Sequence, residues 1–308
     1  MRERLGAPTR SAALAALALV LLAAAPVGGE QPNGILVYET DFGLKDGAVS
    51  AMRGVARGVA KGLILEDLTH EIPPFDIWEG AYRLNQTASY WPAGTVFVIV
   101  VDPGVGTERR NLVMQSRSGH YFVTPDNGTL TLVADSLGIE AVREIDLERN
   151  RLPGSDRSST FLGRDLFSST GARLAAGALA FDEVGPRLEG EIVRLDYQKP
   201  AFVEGKLVGT IPVLDVQYGN VWTNIERATF ERLGLAKGDT AEVRISHSGE
   251  RAYEGAMPYV DTFGDVPEGQ PLLYLNSLDN VALAINYGDF AGTHGVASGP
   301  DWTIELTR

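Results

Sequence analysis

The chain has 308 residues, 44% of them hydrophobic, and 27 Lys and Arg against 40 Asp and Glu. A net charge of −13 with no clustered basic run argues against a nucleic-acid partner, whose phosphates call for grouped Lys and Arg. There is no cysteine, so neither a disulfide framework nor thiolate chemistry is available and stability rests on core burial.

The first 29 residues read as a secretory signal peptide. Arg2, Arg4 and Arg10 form a positive start, residues 12–27 are an Ala/Leu/Val run, and Gly28 and Gly29 follow. The run is shorter than the roughly 20 apolar residues of a spanning helix. Cleavage is expected between Ala24 and Glu30, giving a periplasmic or secreted protein with no membrane attachment. Removing three Arg and one Glu makes the remainder more acidic still, which suits a cationic or zwitterionic ligand as well as simple solubility.

Residues 34–43, "GILVYETDFG", predict a strand that delivers Asp41 to a loop. A helical pattern follows over 48–62, a second strand over 63–70 and a second helix over 77–91. "GTVFVIVVDPGVG" is the strongest strand and ends at Asp102. "HYFVTPDNG" repeats the scheme and ends at Asp126. Strands alternating with helices indicate an α/β layer architecture, and continuous apolar strands indicate a sheet buried on both faces. Three strands thus end in an acid closely followed by glycine, at the end of the sheet where α/β proteins bind ligands. Asp-Gly and Pro-Gly pairs are also ordinary turns; three in one half favour a site.

A helix is expected over 167–178. After a linker at about 190–205 the texture changes to short alternating strands, as in an antiparallel barrel or sandwich. The stretch "LDVQYGNVWTN" sets Asp215, Asn220, Thr223 and Asn224 around Tyr218 and Trp222, a combination suited to a flat ring. His70, His120, His247 and His294 are scattered, so no metal site is read from spacing.

Taken in order, "TDFGLKD", "DLTHEIPPFDIWEGAY", "WPAGTVFVIVVDPGVGTERR", "TPDNG", "STFLGRDLF", "LDVQYGNVWTNI" and "NSLDNVALAINYG" resemble the S-adenosyl-L-methionine hydroxide adenosyltransferase family, which also contains fluorinases and chlorinases. The resemblance spans about 35–306. It implies an N-terminal α/β domain with a mostly parallel sheet (35–190) and an all-β, barrel-like C-terminal domain (205–306). It implies a homotrimer with substrate between subunits, and no cofactor beside S-adenosyl-L-methionine as substrate.

The hydrolases of this family split that substrate into adenosine and methionine by attack of water on the ribose C5′. Their catalytic Asp and Arg match Asp102 and Arg109; their catalytic His falls on Leu162. The substrate-binding positions carry over as Asp41 for the ribose hydroxyls, Asp46 near the methionine end and Phe75 beside the ribose or adenine. Asp215, Tyr218 and Asn220 match the motif for the methionine amino group and adenine, and Ser277 and Asn286 match the last motif. A second departure places Ala282 where the family has a glutamate. The expectation is an adenosine-forming hydrolase. A non-catalytic adenosyl- or nucleoside-binding protein and a halide-using relative are the alternatives.

Overall fold

A computed structural model describes residues 31–308; the expected signal peptide lies outside them. The N-terminal half runs β1 (Ile35–Thr40), α1 (Ala48–Val59), β2 (Ile64–Thr69), α2 (Ile77–Ala88), β3 (Val96–Val100), β4 (Asn111–Ser116), β5 (Tyr121–Pro125), α3 (Thr131–Leu137), β6 (Ile139–Glu144) and α4 (Leu147–Asn150). A π-helical turn, Gly163–Ser168, then leads directly into α5 (Ser169–Ala175). The strands form one six-stranded sheet in the order β2-β1-β3-β5-β4-β6. The β2/β1, β1/β3 and β3/β5 pairs are parallel; β4 pairs antiparallel with β5 and β6.

Side chains of β1 and β3 alternate between two buried faces, which is why these strands read as continuous apolar runs. Leu36, Tyr38, Val96, Val98 and Val100 pack with Met52 and Ala56 of α1 and with Ala172 and Leu174 of α5. Val37, Phe97 and Ile99 pack on the other face with Leu84 of α2 and Val133 of α3. Helix α5 lies close on β3: a Cβ at Gly171 would stand 2.4 Å from Val98 Cγ2, so only glycine fits there. Asp76 caps α2 by accepting from the Glu79 N–H at 2.8 Å.

The C-terminal half runs β7 (Ala201–Val203), β8 (Lys206–Ile211), β9 (Val213–Asp215), β10 (Asn220–Glu226), α6 (Arg227–Phe230), β11 (Thr240–His247), β12 (Glu250–Pro258), β13 (Pro271–Leu275), β14 (Asn280–Ile285), α7 (Phe290–His294) and β15 (Gly299–Thr307). It is all-β in its sheets, as expected, but it is not a closed barrel. Its strands form two antiparallel sheets, β12-β11-β15-β8-β7 and β13-β14-β10-β9. Between them sits a core containing Leu207, Val221, Val243, Leu283 and Ile304. Periodicity marks a strand's inward face but does not say whether the end strands pair, so a barrel and two open sheets look alike in sequence.

The two halves are joined by more than the chain. Trp78, Tyr82 and Leu132 pack with Val213 in a shared apolar cluster. The Trp78 indole N–H donates to Pro212 O at 2.8 Å, and the Arg83 guanidinium reaches Leu214 O at 3.3 Å. Segment 190–200 is tied to the first half by the Val193 N–H to Asp126 and the Leu195 N–H to Thr131 Oγ1. Trp78→Phe should lower unfolding free energy by about 1–2 kcal/mol, because Pro212 O is left without its donor; a urea melt checks this.

Candidate active site

Strand β1 has β2 on one side and β3 on the other, so chain direction across the sheet switches between β1 and β3. Ligands of open α/β sheets bind at such a switch, beyond the carboxyl ends of the strands. Thr40 pairs with Val100, so Asp41 and Asp102 leave the sheet side by side in the chain direction that reaches this crevice.

Asp102 is held in a two-point grip. Arg109 Nε donates to Asp102 Oδ1 at 2.7 Å and Nη2 donates to Oδ2. The third guanidinium nitrogen donates to Arg110 O and Asn111 Oδ1, and the group lies over the Phe167 ring at 5.7 Å. With every nitrogen of Arg109 engaged, the direction of the carboxylate is set. The side chains are 4% and 12% exposed, so the pair is nearly withdrawn from water while the remaining lone pairs of Asp102 can still accept a proton.

The Asp41 loop is fastened from below. Thr40 Oγ1 lies 2.8 Å from His70 Nδ1 and accepts from the Phe42 N–H; the Gly43 N–H donates to His70 O at 2.7 Å. His70 Nε2 in turn meets Asp67, which also pairs with Arg53. His70 was legible in sequence only as an isolated histidine, because its role depends on contacts 30 residues away. Asp41 Oδ2 accepts from the Phe75 N–H at 2.9 Å, and Phe75 sits at φ 70 and is 69% exposed. Asp46 is exposed and accepts from the Ala48 N–H at the start of α1.

The third acid at a strand end does not belong to this site. Asp126 is buried, pairs with Arg110 and accepts from the Val193 N–H, so it fastens the segment between the halves. Glu39 points into the opposite face of the sheet. It is 1% exposed, neither carboxyl oxygen has a hydrogen-bond partner among the described residues, and the side chain lies where a Cβ on Gly80 would be 3.4 Å from Oε1. Burial pushes its pKa well above the usual carboxyl range; the Arg83 charge opposes the shift and Glu79 adds to it.

In "STFLGRDLF" the two charged residues pair with each other. Arg164 pairs with Asp165 and lies 5.0 Å over Phe161, which meets Phe42 edge-on at 5.8 Å. This stack supports the Asp41 loop. Leu162 is 6% exposed and packs in the N-terminal core with Leu166 and Phe167; Phe167 is the ring beneath Arg109.

The C-terminal half forms a second cluster around an open cavity of about 860 Å³. Asp215, Tyr218, Asn220, Ser277 and Asn286 all line it. Asp215 and Asn220 pair across the β9–β10 hairpin, and Asn220 Nδ2 donates to Asp215 Oδ2 at 3.1 Å. Asn286 Nδ2 donates to Val266 O. Trp222, Phe263, Tyr274, Asn276 and Tyr287 also line it. Of these, sequence singles out Trp222; Asn276 and Tyr287 fall within the last motif without a role of their own, and Phe263 and Tyr274 come from a turn and a strand that no motif marks. Ala282 does not line it: it is buried in β14 with Trp222 and Tyr274. Asp41, Asp46, Phe75, Asp102 and Arg109 do not line this cavity. The acid–arginine pair and this cavity therefore form two clusters of one chain.

An acid–arginine pair at a switch point and an aromatic-lined cavity in an attached antiparallel domain define a two-domain small-molecule-binding protein. The chain belongs to the SAM hydroxide adenosyltransferase family. Residues 36–185 match its N-terminal domain and residues 209–303 its C-terminal domain. The chain is 38% identical over 266 residues to the (R)-S-adenosyl-L-methionine hydrolase of Salinispora arenicola, covering 85% of this chain and 94% of the relative. It is 28% identical over 301 residues to the fluorinase of an Actinoplanes strain, covering 90% and 98%. An uncharacterized conserved protein from Thermotoga maritima superposes with a TM-score of 0.80 at 34% identity, covering 89% of this chain and all of that one.

Proposed function

We propose that the protein hydrolyses S-adenosyl-L-methionine to adenosine and L-methionine. The Asp102–Arg109 pair at the switch point carries this reading, in a chain 35–38% identical to several hydrolases of that substrate. A water oxygen attacks the ribose C5′ opposite the C5′–S bond. That bond breaks, its electron pair returns to sulfur, and methionine leaves as a neutral thioether that needs no acid. Asp102 accepts the water's proton, and Arg109 keeps its carboxylate aimed. Alignment of water, carbon and sulfur supplies much of the rate.

Asp41 would meet the ribose hydroxyls and Asp46 the methionine end, with Phe75 beside the sugar. Asp215, Tyr218, Asn220, Ser277 and Asn286 would hold the amino group and the base. The N-terminal set does not line the C-terminal cavity of its own chain, which supports a site shared with a second copy, as the family resemblance implies. The exposed Leu44, Phe75 and Val105 supply apolar surface for that contact, and a homotrimer with shared sites is the assembly proposed. Export to the periplasm or beyond, through a signal peptide at residues 1–29, remains part of the proposal and calls for N-terminal sequencing of the secreted form.

Leu162 favours one alternative, a protein that binds an adenosyl or nucleoside ligand without turnover, since a core leucine gives the water no hydrogen bond. A halide-using role is disfavoured: the carboxylate of Asp102 alone would repel a halide about 4 Å away by roughly 4 kcal/mol at an effective dielectric of 20, a repulsion that the paired Arg109 charge reduces. Incubation with S-adenosyl-L-methionine, with and without chloride, separates the three. Adenosine supports the hydrolase, binding with no product supports the non-catalytic protein, and a 5′-chloro nucleoside supports halide use.

A further inference from the structure

The mouth of the C-terminal cavity carries a tyrosine that the fold does not explain. Tyr287 has φ 55 and is 90% exposed. Left-handed backbone is disfavoured for any residue with a bulky side chain, and glycine would adopt it freely. The turn is closed by the Gly288 N–H to Ile285 O at 2.9 Å, a bond made by backbone alone. The ring gains no burial in return. Yet Ile285 to Asp289 all line the cavity, as does Tyr218, itself 66% exposed. A strained, unpacked aromatic residue at a cavity mouth is the kind of outlier that points to a ligand.

An independent observation on the same wall points the same way. Asn276 is only 9% exposed, and its Oδ1 accepts from the Leu278 and Asn280 N–H groups, which fixes the amide. Its Nδ2 has no partner among the described residues. A buried donor held in place without an acceptor is costly unless a ligand supplies one.

Building on the hydrolase reading, we propose that Tyr287 is a specificity-determining residue that covers the outer face of the substrate's planar base, with Tyr218 on the other face. Asn276 Nδ2 serves an acceptor atom of the same bound molecule. Ring-on-ring contact selects a flat heteroaromatic group and is indifferent to the sulfonium end.

The test compares Tyr287→Gly and Tyr287→Phe with the unsubstituted protein, using calorimetry with adenosine, KM and kcat for S-adenosyl-L-methionine, and thermal melts. Tyr287→Gly should raise the adenosine Kd and the KM roughly tenfold, as expected for one lost stacking contact, with kcat held and the melting temperature equal or higher. Tyr287→Phe should keep wild-type Kd and KM. Unchanged adenosine affinity in Tyr287→Gly overturns the proposal. So does a loss of affinity in Tyr287→Phe as large as in Tyr287→Gly, or one accompanied by a lower melting temperature. Adenosine binding needs no turnover, so a protein that binds adenosine but releases none from the substrate refutes the hydrolase and leaves this comparison decisive.

Discussion

Asp102→Asn should lower adenosine release from S-adenosyl-L-methionine by about 10²–10⁴-fold, the usual loss when a positioned proton acceptor is removed. An amide retains the shape of the carboxylate and one oxygen for Arg109, but it cannot take the proton of the attacking water. The fall should appear in kcat, with KM little changed, because the residue acts on the water and not on the adenosyl group. Breaking a buried ion pair also leaves Arg109 uncompensated, at about 3–5 kcal/mol when one partner is truncated. A melting curve must therefore accompany the assay, run at a temperature where both forms are folded. Single-turnover product analysis is the measurement; a rate within twofold of the unsubstituted protein would remove Asp102 from the mechanism. Leu162→His supplies a second arm. If the absent hydrogen bond limits the rate, that variant should be faster, and the gain should vanish in combination with Asp102→Asn.

Glu39→Gln should change how stability varies with pH. Burial raises the Glu39 pKa in the folded state well above its value in the unfolded chain, so the folded protein holds a proton there that the unfolded chain releases. The stabilisation is complete below the usual carboxyl pKa. It is lost as pH rises toward the folded-state pKa, at up to about 1.4 kcal/mol per pH unit. Glutamine does not ionise, so the variant should overtake the parent as pH increases from 5 upward. Urea unfolding at a series of pH values checks this. Parallel curves for the two proteins would mean that Glu39 is ionised in the folded state, contrary to its burial.

Much of the fold could be read from residue order. The strands ending at Asp41 and Asp102 and the helices between them follow from local periodicity and turn residues. Strand β4, helix α3 and strand β6 escaped notice: α3 is only seven residues long, and β6 carries two glutamates and an arginine in six positions as an edge strand. The C-terminal sheets were legible as strands but not as an arrangement, because pairing of distant strands leaves no local trace.

The site divides in the same way. The five C-terminal residues named from motifs meet in one cavity, whereas Tyr287 and Asn276, although inside the last motif, gain a role only from a backbone angle and an unmet donor. Asp126 shows the converse error. Its Asp-Asn-Gly setting looks like that of its two counterparts, and only the position of Arg110 and of the segment from 190 onward shows that it fastens structure.

Position 162 has a further consequence, for how such a protein can change over generations. Leu162 has φ −63 and ψ −24 and opens a π-helical turn, ordinary right-handed geometry that any side chain can adopt. The acid and its arginine sit in another loop, seven residues apart. Selection can therefore exchange the residue at 162 in a single step without rebuilding the backbone around it and without disturbing the pair. A lineage of this fold can exchange leucine and histidine at this position along a path only one codon wide.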